Sequence, residues 1–321
     1  MIDVHRSMIL SQSSNFQPDP LSDVLEVLGA RVTRQTRLEA SGDWALSFPA
    51  LDRLKFVAVL RGMCWIQMEG RAPHPMQAGD ACLIGTTDYA VSRDPTLVPQ
   101  DGRQLFEDPR RDFVRLGGDE VVSIGGTVTF SGPNADFLLD MLPDFIPVQR
   151  HTAGAEAIST VLSLMSQEIE RGVIGSTIVR ARLADILLVE TFRAYAEQAG
   201  PDQCGWFGAL SDPRIGRALQ ALHADVACAW TVADIAAVAG MSRAAFSAEF
   251  SRRIGQPPLS YLRSWRLTLA RRRLLQDETT VADVAHAVGY QSQSAFSQAF
   301  LRTFGRSPSA DTRAKEGTSA H

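Results

Sequence analysis

Residues 242–250 read SRAAFSAEF and residues 292–300 read SQSAFSQAF, with five of nine positions identical in register. A chain that writes one short phrase twice uses one structural unit twice. The match extends upstream, where TVADIAAVAGM begins at Thr231 and TVADVAHAVGY at Thr280. Each opens with Thr-x-x-Asp, in which the hydroxyl accepts a first-turn N–H while Asp234 or Asp283 favours the positive helix end. Each stops at Gly240 or Gly289, where a left-handed residue permits a sharp turn. Each restarts at a new cap, Ser242 or Ser292. The second helices carry Phe246, Phe250 and Ile254, or Phe296, Phe300 and Phe304, as one ridge at four-residue steps. Both end at a glycine, Gly255 or Gly305, with proline just beyond. The repeat is therefore helix, tight turn, helix, twice: the helix-turn-helix plan, whose second helix enters the DNA major groove.

Between the units, residues 257–276 read PPLSYLRSWRLTLARRRLLQ. Proline at the entry suits a helix start. Such a helix spans about 28 Å at about 1.5 Å per residue, close to the roughly 34 Å of one DNA turn, so both reading helices are expected to enter successive major grooves on one DNA face. Leu262, Trp265, Leu269, Leu274 and Leu275 are expected to seat the spacer on both subdomains. Arg263, Arg266, Arg271, Arg272 and Arg273 present a basic surface for phosphates or for acidic neighbours. Charge agrees: residues 205–321 carry 14 Lys/Arg against 9 Asp/Glu, within a chain of net charge −4.

These segments, with DPRIGRALQALH upstream, resemble the DNA-binding domain of the AraC/XylS family of transcription regulators over about residues 211–310. LRGMCWIQMEG, PHPMQAGDACLIG and VSIGGTVTFSGPNADFLLDMLP resemble the cupin-type sensor domain that often precedes it. By the family pattern, the DNA-facing positions are Ser242, Arg243, Ala244, Ser247 and Ala248 on the first reading helix. On the second they are Ser292, Gln293, Ser294, Ser297 and Gln298. Family members frequently place Arg where this chain has Ala248 and Gln298, which counts against guanine reading there. Arg243 suits guanine O6 and N7, and Gln293 or Gln298 suits adenine N6 and N7. Arg252, Arg302 and Arg306 are expected to grip phosphate.

Upstream the texture differs. PLSDVLEVLGA reads as a short helix capped by Ser22 and stopped by Gly29. From about 31 to 130, short apolar stretches such as LKFVAVL, CWIQM, ACLIG and VVSIGGTVTF are broken by Gly, Pro and Asp, which suggests an all-β barrel or sandwich. QAGD at 77–80 reads as a turn between strands, with Gly79 at positive φ. From about 134 the pattern turns helical, with a short helix cut by Pro143. GAEAISTVLSLMSQEIERG and STIVRARLADILLVETFRAYAEQAG follow, apolar at three- and four-residue steps. These two helices either pack on their own barrel or form a subunit interface. GPDQCGWFGALSD at 200–212 reads as a linker.

The barrel admits three readings. As a small-molecule sensor, its lining candidates are Trp44, Met63, Cys64, Trp65, Gln67, Cys82 and Tyr89. As a redox sensor, Cys64 and Cys82 are neighbours on joined strands, provided one is exposed with a lowered pKa. As a metal-dependent cupin enzyme fused to a DNA-binding module, it needs clustered His and carboxylate ligands. Residues 30–145 contain a single histidine, His74, placed by its flanking prolines in a turn, so neither metal, cofactor nor catalysis is expected. The four cysteines lie in no zinc-type spacing. The N-terminus has no basic head followed by an apolar run, and no stretch is long and apolar enough to span a membrane.

The expected architecture is multidomain: a flexible N-terminus (1–20), a cupin-like sensor barrel with flanking helices (21–150), a helical dimerisation segment (151–204), an all-α domain with two helix-turn-helix units (205–310) and a flexible tail (311–321). The expected function is that of a cytoplasmic, homodimeric, sequence-specific regulator of transcription. Its expected partners are double-stranded promoter DNA, a small-molecule effector and RNA polymerase.

Overall fold

The computed structural model describes residues 19–27, 29–50, 53–108, 112–130, 142–152, 154–198, 205–276 and 279–311. The first helix, α1 (Pro20–Val27), is followed by strands β1 (Ala30–Ala40), β2 (Ala45–Phe48), β3 (Leu54–Arg61), β4 (Met63–Met68), β5 (His74–Gln77), β6 (Ala81–Ile84), β7 (Tyr89–Ser92), β8 (Gln100–Asp101), β9 (Phe113–Leu116), β10 (Val121–Phe130) and β11 (Phe145–Val148). Asp19, not Ser22, caps α1. Its carboxylate accepts the Leu21 N–H at 3.0 Å and the Ser22 hydroxyl at 2.6 Å.

The strands form two separate mixed sheets rather than a closed barrel. Their orders are β11-β6-β3-β10-β1-β9 and β5-β4-β7-β2-β8, with β1–β9 and β2–β8 parallel and the other pairs antiparallel. Between the sheets lies an apolar layer that includes Leu38, Val57, Val59, Cys64, Ile66 and Cys82. The QAGD turn is as expected, with Gly79 at φ 94° and Asp80 accepting the Gln77 N–H at 2.7 Å. His74 lies on β5 rather than in a turn, its ring edge-on to Phe145. Of the helix expected around Pro143, residues 134–141 lie outside the described residues, and 145–148 form a strand paired to β6. The branched and aromatic FIPV sequence favours that pairing.

The outer face of the larger sheet carries Leu54, Phe56, Ala58, Ile124 and Val128. Against it pack α2 (Ala155–Arg171) and α3 (Ser176–Gln198), whose buried residues include Ile158, Leu162, Leu187 and Phe192. The segment expected as a linker is a correction. Trp206–Ser211 forms α4, and Trp206 and Phe207 are almost wholly buried, Phe207 stacking on Phe192 at 5.1 Å. Two large aromatic rings in water would forfeit several kcal/mol of burial, which outweighs the turn-like glycines around them (about 1.5–3 kcal/mol per large side chain).

Then come α5 (Pro213–Ala224), α6 (Val232–Ala239), α7 (Arg243–Ile254), α8 (Pro258–Gln276), α9 (Val281–Ala287) and α10 (Gln293–Phe304). Asp212 caps α5 through the Arg214 and Ile215 amides at 2.8 and 3.2 Å, with Pro213 at its first turn. Among the described residues, no helix is long and apolar enough to cross a membrane.

Candidate nucleic-acid interface

Both helix-turn-helix units are built by the local chemistry that the repeat implies. Thr231 accepts the Asp234 N–H at 3.2 Å, and Asp234 accepts the Thr231 N–H at 2.9 Å in return. Thr280 accepts the Asp283 N–H at 3.1 Å. The turns pass through Gly240 at φ 68° and Gly289 at φ 82°. Ser242 and Ser292 then cap α7 and α10 through the Ala245 and Ala295 amides at 3.3 and 3.2 Å. Gly255 and Gly305 close both helices in the left-handed conformation.

The inner ridges are buried as expected. Phe246, Phe250, Phe296 and Phe300 are all fully enclosed, with ring centroids 5.4 Å apart in the first pair and 5.6 Å in the second. On the opposite faces Ser242, Arg243, Ala244, Ala248, Ser292, Gln293, Ser294 and Gln298 are exposed, and Ser247 and Ser297 are half-buried. So the ten expected reading positions lie at or near the surface, with Ser242 and Ser292 also serving as caps.

The spacer α8 spans 19 residues, about 28 Å of helix. Tyr261, Leu262 and Trp265 join the first unit's core, whereas Leu267, Ala270 and Leu274 join the second's. Leu269 packs against both. The five spacer arginines are not one basic surface. Arg266 donates to the carbonyls of Val226 and Cys228 at 2.8 and 2.6 Å. Arg271 grips Asp311 at 2.6 Å and lies 4.6 Å from the Phe304 ring centroid. Arg272 pairs with Glu26 of α1 at 3.1 Å. Arg263 and Arg273 are exposed.

Arg302 and Arg306 are exposed, as is Arg252, which lies bidentate on Glu249 at 2.7 and 2.9 Å. Glu249 also takes the Arg253 Nε–H at 2.5 Å. These guanidinium hydrogen bonds hold its carboxyl at about 2, well below the usual carboxylate range. Sequence reasoning missed Arg253. It is buried and bridges Glu249 to Asp212, 3.1 Å away, so the reading helix α7 is pinned to the start of α5. The Asp-Pro at 212–213 was the available signal, since it marks a helix start.

In the sheet region the sensor candidates divide by strand parity. Cys64 faces the inter-sheet layer, so Met63, Trp65 and Gln67, one step out of phase on β4, are half-buried on the other face. They are therefore not part of an interior lining with Cys64. Gln67 instead accepts from Ser92 Oγ at 3.1 Å and donates to the Pro95 carbonyl at 2.9 Å. Cys64 and Cys82 are both fully buried, and burial pushes the Cys64 thiol up to about 12 and the Cys82 thiol higher still. The exposure and low pKa that redox sensing calls for are missing at both. Trp44 is buried in the inter-sheet layer. Tyr89 lines a cavity of about 390 Å³ between the sheets, with Leu38, Lys55, Phe56, Val91 and Gly125 among its other walls. Among the described residues, no three His, Cys, Asp or Glu side chains gather as a metal site.

Comparison with known proteins matches the cupin family over residues 19–197 and a helix-turn-helix domain over residues 235–314. An AraC-like transcription regulator of Streptomyces lividans is 39% identical over 293 residues, covering 90% of this chain and 96% of the relative. The HTH-type transcriptional regulator AlkR of Acinetobacter baylyi is 30% identical over 301 residues, covering 90% and 97%. The crystal structure of the DNA-binding domain of AdpA in complex with a target DNA is similar over 34% of this chain and 96% of that one, at 30% identity and a TM-score of 0.32.

Proposed function

The chain belongs to the AraC/XylS family of transcription regulators, with an N-terminal cupin domain and a C-terminal AraC-type DNA-binding domain, and from that premise we propose that it reads a specific promoter sequence with α7 and α10 together. The observation that carries this reading is the duplicated capping geometry. Two helices begin at Ser242 and Ser292, bury matching phenylalanine ridges and keep their opposite faces exposed. They flank a 19-residue rod whose two halves are packed in different cores. Arg243 reads guanine, Gln293 and Gln298 read adenine, and Ala244 and Ala248 contact thymine methyls. Ser247, Ser294 and Ser297 add polar contacts to bases or backbone. Ser242 and Ser292, with Arg252, Arg302 and Arg306, hold the phosphates.

The protein acts as a homodimer through α2 and α3. Ile174, Ile178, Val179 and Ile186 are exposed along and just before α3, with Leu164 exposed on α2, an apolar surface of the kind that subunit association covers. The cupin domain receives a small-molecule signal and changes how the dimer presents its DNA-reading helices to the promoter, and hence to RNA polymerase. Its site of action is the cytoplasm, where the DNA is. Mapping the genomic DNA bound by the full-length protein tests the reading. A shared motif with two half-elements about one helical turn apart supports it, and uniform, sequence-independent occupancy contradicts it.

A further inference from the structure

The spacer α8 passes from one core to the other at a single step. Trp265 is buried in the first unit's core and Leu267 in the second's. Arg266 stands between them, close to the middle of the helix. A shared helix sets the distance between two small cores more firmly than their roll about its axis. A second join is needed to fix the roll.

That join lies beside Arg266. Residues 225–230 connect α5 to α6, and Val226 and Trp230 pack on the first core. This loop folds back on Asp225, whose carboxylate accepts the Cys228 N–H at 3.1 Å and whose carbonyl accepts the Trp230 Nε1–H at 2.8 Å. Against it lies the turn of the second unit. Val288 and Tyr290 belong to the second cluster, and Gly289 stands between them at φ 82°. A Cβ at Gly289 would fall 2.6 Å from the Ala227 carbonyl oxygen and 3.0 Å from the Ala227 Cα. The first unit's loop therefore rests on the second unit's turn, backbone to backbone. Arg266 closes the join. It donates through Nε to the Val226 carbonyl at 2.8 Å and through Nη2 to the Cys228 carbonyl at 2.6 Å, on either side of Ala227. The same Nη2 lies 2.8 Å from where a Gly289 Cβ would stand.

The planar fork is thus turned onto protein carbonyls, and its geometry is rigid. Shifting one reading helix by a base pair relative to the other takes about 3.4 Å along the duplex and about 34° around it. At the roughly 8–10 Å between packed helix axes, a roll of that size moves the loop by about 5 Å. N–H···O bonds hold over only about 2.7–3.2 Å, so both would break. We propose that Arg266 is a positioning residue for DNA recognition: by clamping Val226–Cys228 of the first unit against the Gly289 turn of the second, it fixes the number of base pairs between the two half-elements. The proposal rests on the reading that α7 and α10 enter one site.

The test uses a duplex selected by the parent protein from a random pool, and copies with one or two base pairs inserted or removed between the half-elements. Affinity is measured by fluorescence anisotropy for the full-length parent, Arg266→Met and Arg302→Ala. Methionine keeps an apolar stem and removes the donors. The parent is expected to lose at least about tenfold for one base pair of error. Arg266→Met is expected to bind the original spacing more weakly, yet to lose less than about threefold for the same error, with base preference inside each half-element unchanged. Arg302→Ala is expected to weaken every spacing alike, which is also what general destabilisation would do. A parent-like spacing ratio in Arg266→Met would overturn the proposal. If that variant does not fold, Asp225→Ala, an exposed change that loosens the clamped loop, decides in the same way. A parent protein indifferent to spacing would overturn the two-helix reading and the clamp together, whereas a sharp parental preference kept by the variant refutes the clamp alone.

Discussion

His223 of α5 lies 3.2 Å from Asp23 of α1 through Nδ1 and 2.8 Å from the Tyr261 hydroxyl through Nε2, joining residues 200 positions apart in the chain. Trp206 Nε1 donates to the same tyrosine oxygen at 3.2 Å, and the imidazole stacks on Trp265 at 4.4 Å. One arrangement of protons satisfies the series. Trp206 N–H donates to Tyr261, Tyr261 O–H to His223 Nε2, and His223 Nδ1–H to Asp23. Burial holds His223 below its ordinary value against the opposing pull of Asp23, so the ring is neutral at pH 7. With Glu26 on Arg272, the first described helix is fastened to the DNA-reading half as well as to the sheets.

Asp23→Ala leaves the buried Nδ1–H without its acceptor. The expected loss of stability is about 1–3 kcal/mol. Hydrogen exchange should show residues 20–27 losing protection first. Protection of α1 equal to that of the parent protein would contradict the linkage.

The two helix-turn-helix units should fail differently although their sequences match. The first unit's core runs without a break through α4 and α5 into the helices covering the larger sheet, whereas the second is a small separate cluster around Phe296 and Phe300. Phe250→Ala and Phe300→Ala each remove about 3–5 kcal/mol of packing. Exchange mapped by mass spectrometry should show Phe300→Ala opening residues 267–304 alone. Phe250→Ala should also loosen α4 and α5. Identical, locally confined patterns would rule out the continuous core.

The turn glycines offer a second asymmetry. Gly240 and Gly289 both have positive φ, at 68° and 82°, but a Cβ at Gly289 would sit 2.6 Å from the Ala227 carbonyl oxygen. At Gly240 the nearest atom is Arg217 Nη2, at 3.7 Å. Gly240→Ala should cost about 1–2 kcal/mol of backbone strain, and Gly289→Ala clearly more. Denaturant midpoints of the two variants check the order, which a reversed ranking would refute.

Much of the C-terminal half was legible because its signals are local. Thr231 and Thr280, Gly240 and Gly289, Ser242 and Ser292 each act within one helical turn. What escaped depends on partners far apart in sequence. Arg266, Arg271 and Arg272 read as a basic face, yet their acceptors are the Val226 carbonyl, Asp311 and Glu26. Trp206 and Phe207 sit among glycines, and only the packing of α3, α5 and α7 around them turns that stretch into a helix. In the sheets, the strands were visible from their apolar runs, but which side of β4 faces inward is set by pairing. Trp65 and Cys64 therefore could not both line the interior.

Lys55 supplies a pH signature. Its ammonium titrates near 8 in the folded protein, against 10.5 for an unperturbed lysine. Between those values the unfolded chain holds a proton that the folded protein has released, so this group's contribution to stability rises with pH. Below about 8 both states are protonated and the buried charge keeps its full cost. The other groups facing the cavity include the guanidinium groups of Arg34, Arg53 and Arg103, and burial pushes Tyr89 above the window. Glu107 is exposed at the rim. Lys55→Met should therefore melt above the parent protein at about pH 7, with the gap narrowing by about pH 9.5. A gap independent of pH would show that Lys55 is not the titrating group.

Selection of bound sequences from a random DNA pool, run on the parent protein, Arg243→Ala, Gln298→Ala and Arg302→Ala, tests most directly whether both helices read one site. Arg243→Ala and Gln298→Ala should each relax one or two base pairs, about 1–3 kcal/mol of discrimination apiece, at positions about one helical turn apart. Arg302→Ala should weaken every sequence alike. Profiles in which the two reading variants alter the same base pairs, or in which neither alters any, would contradict the account.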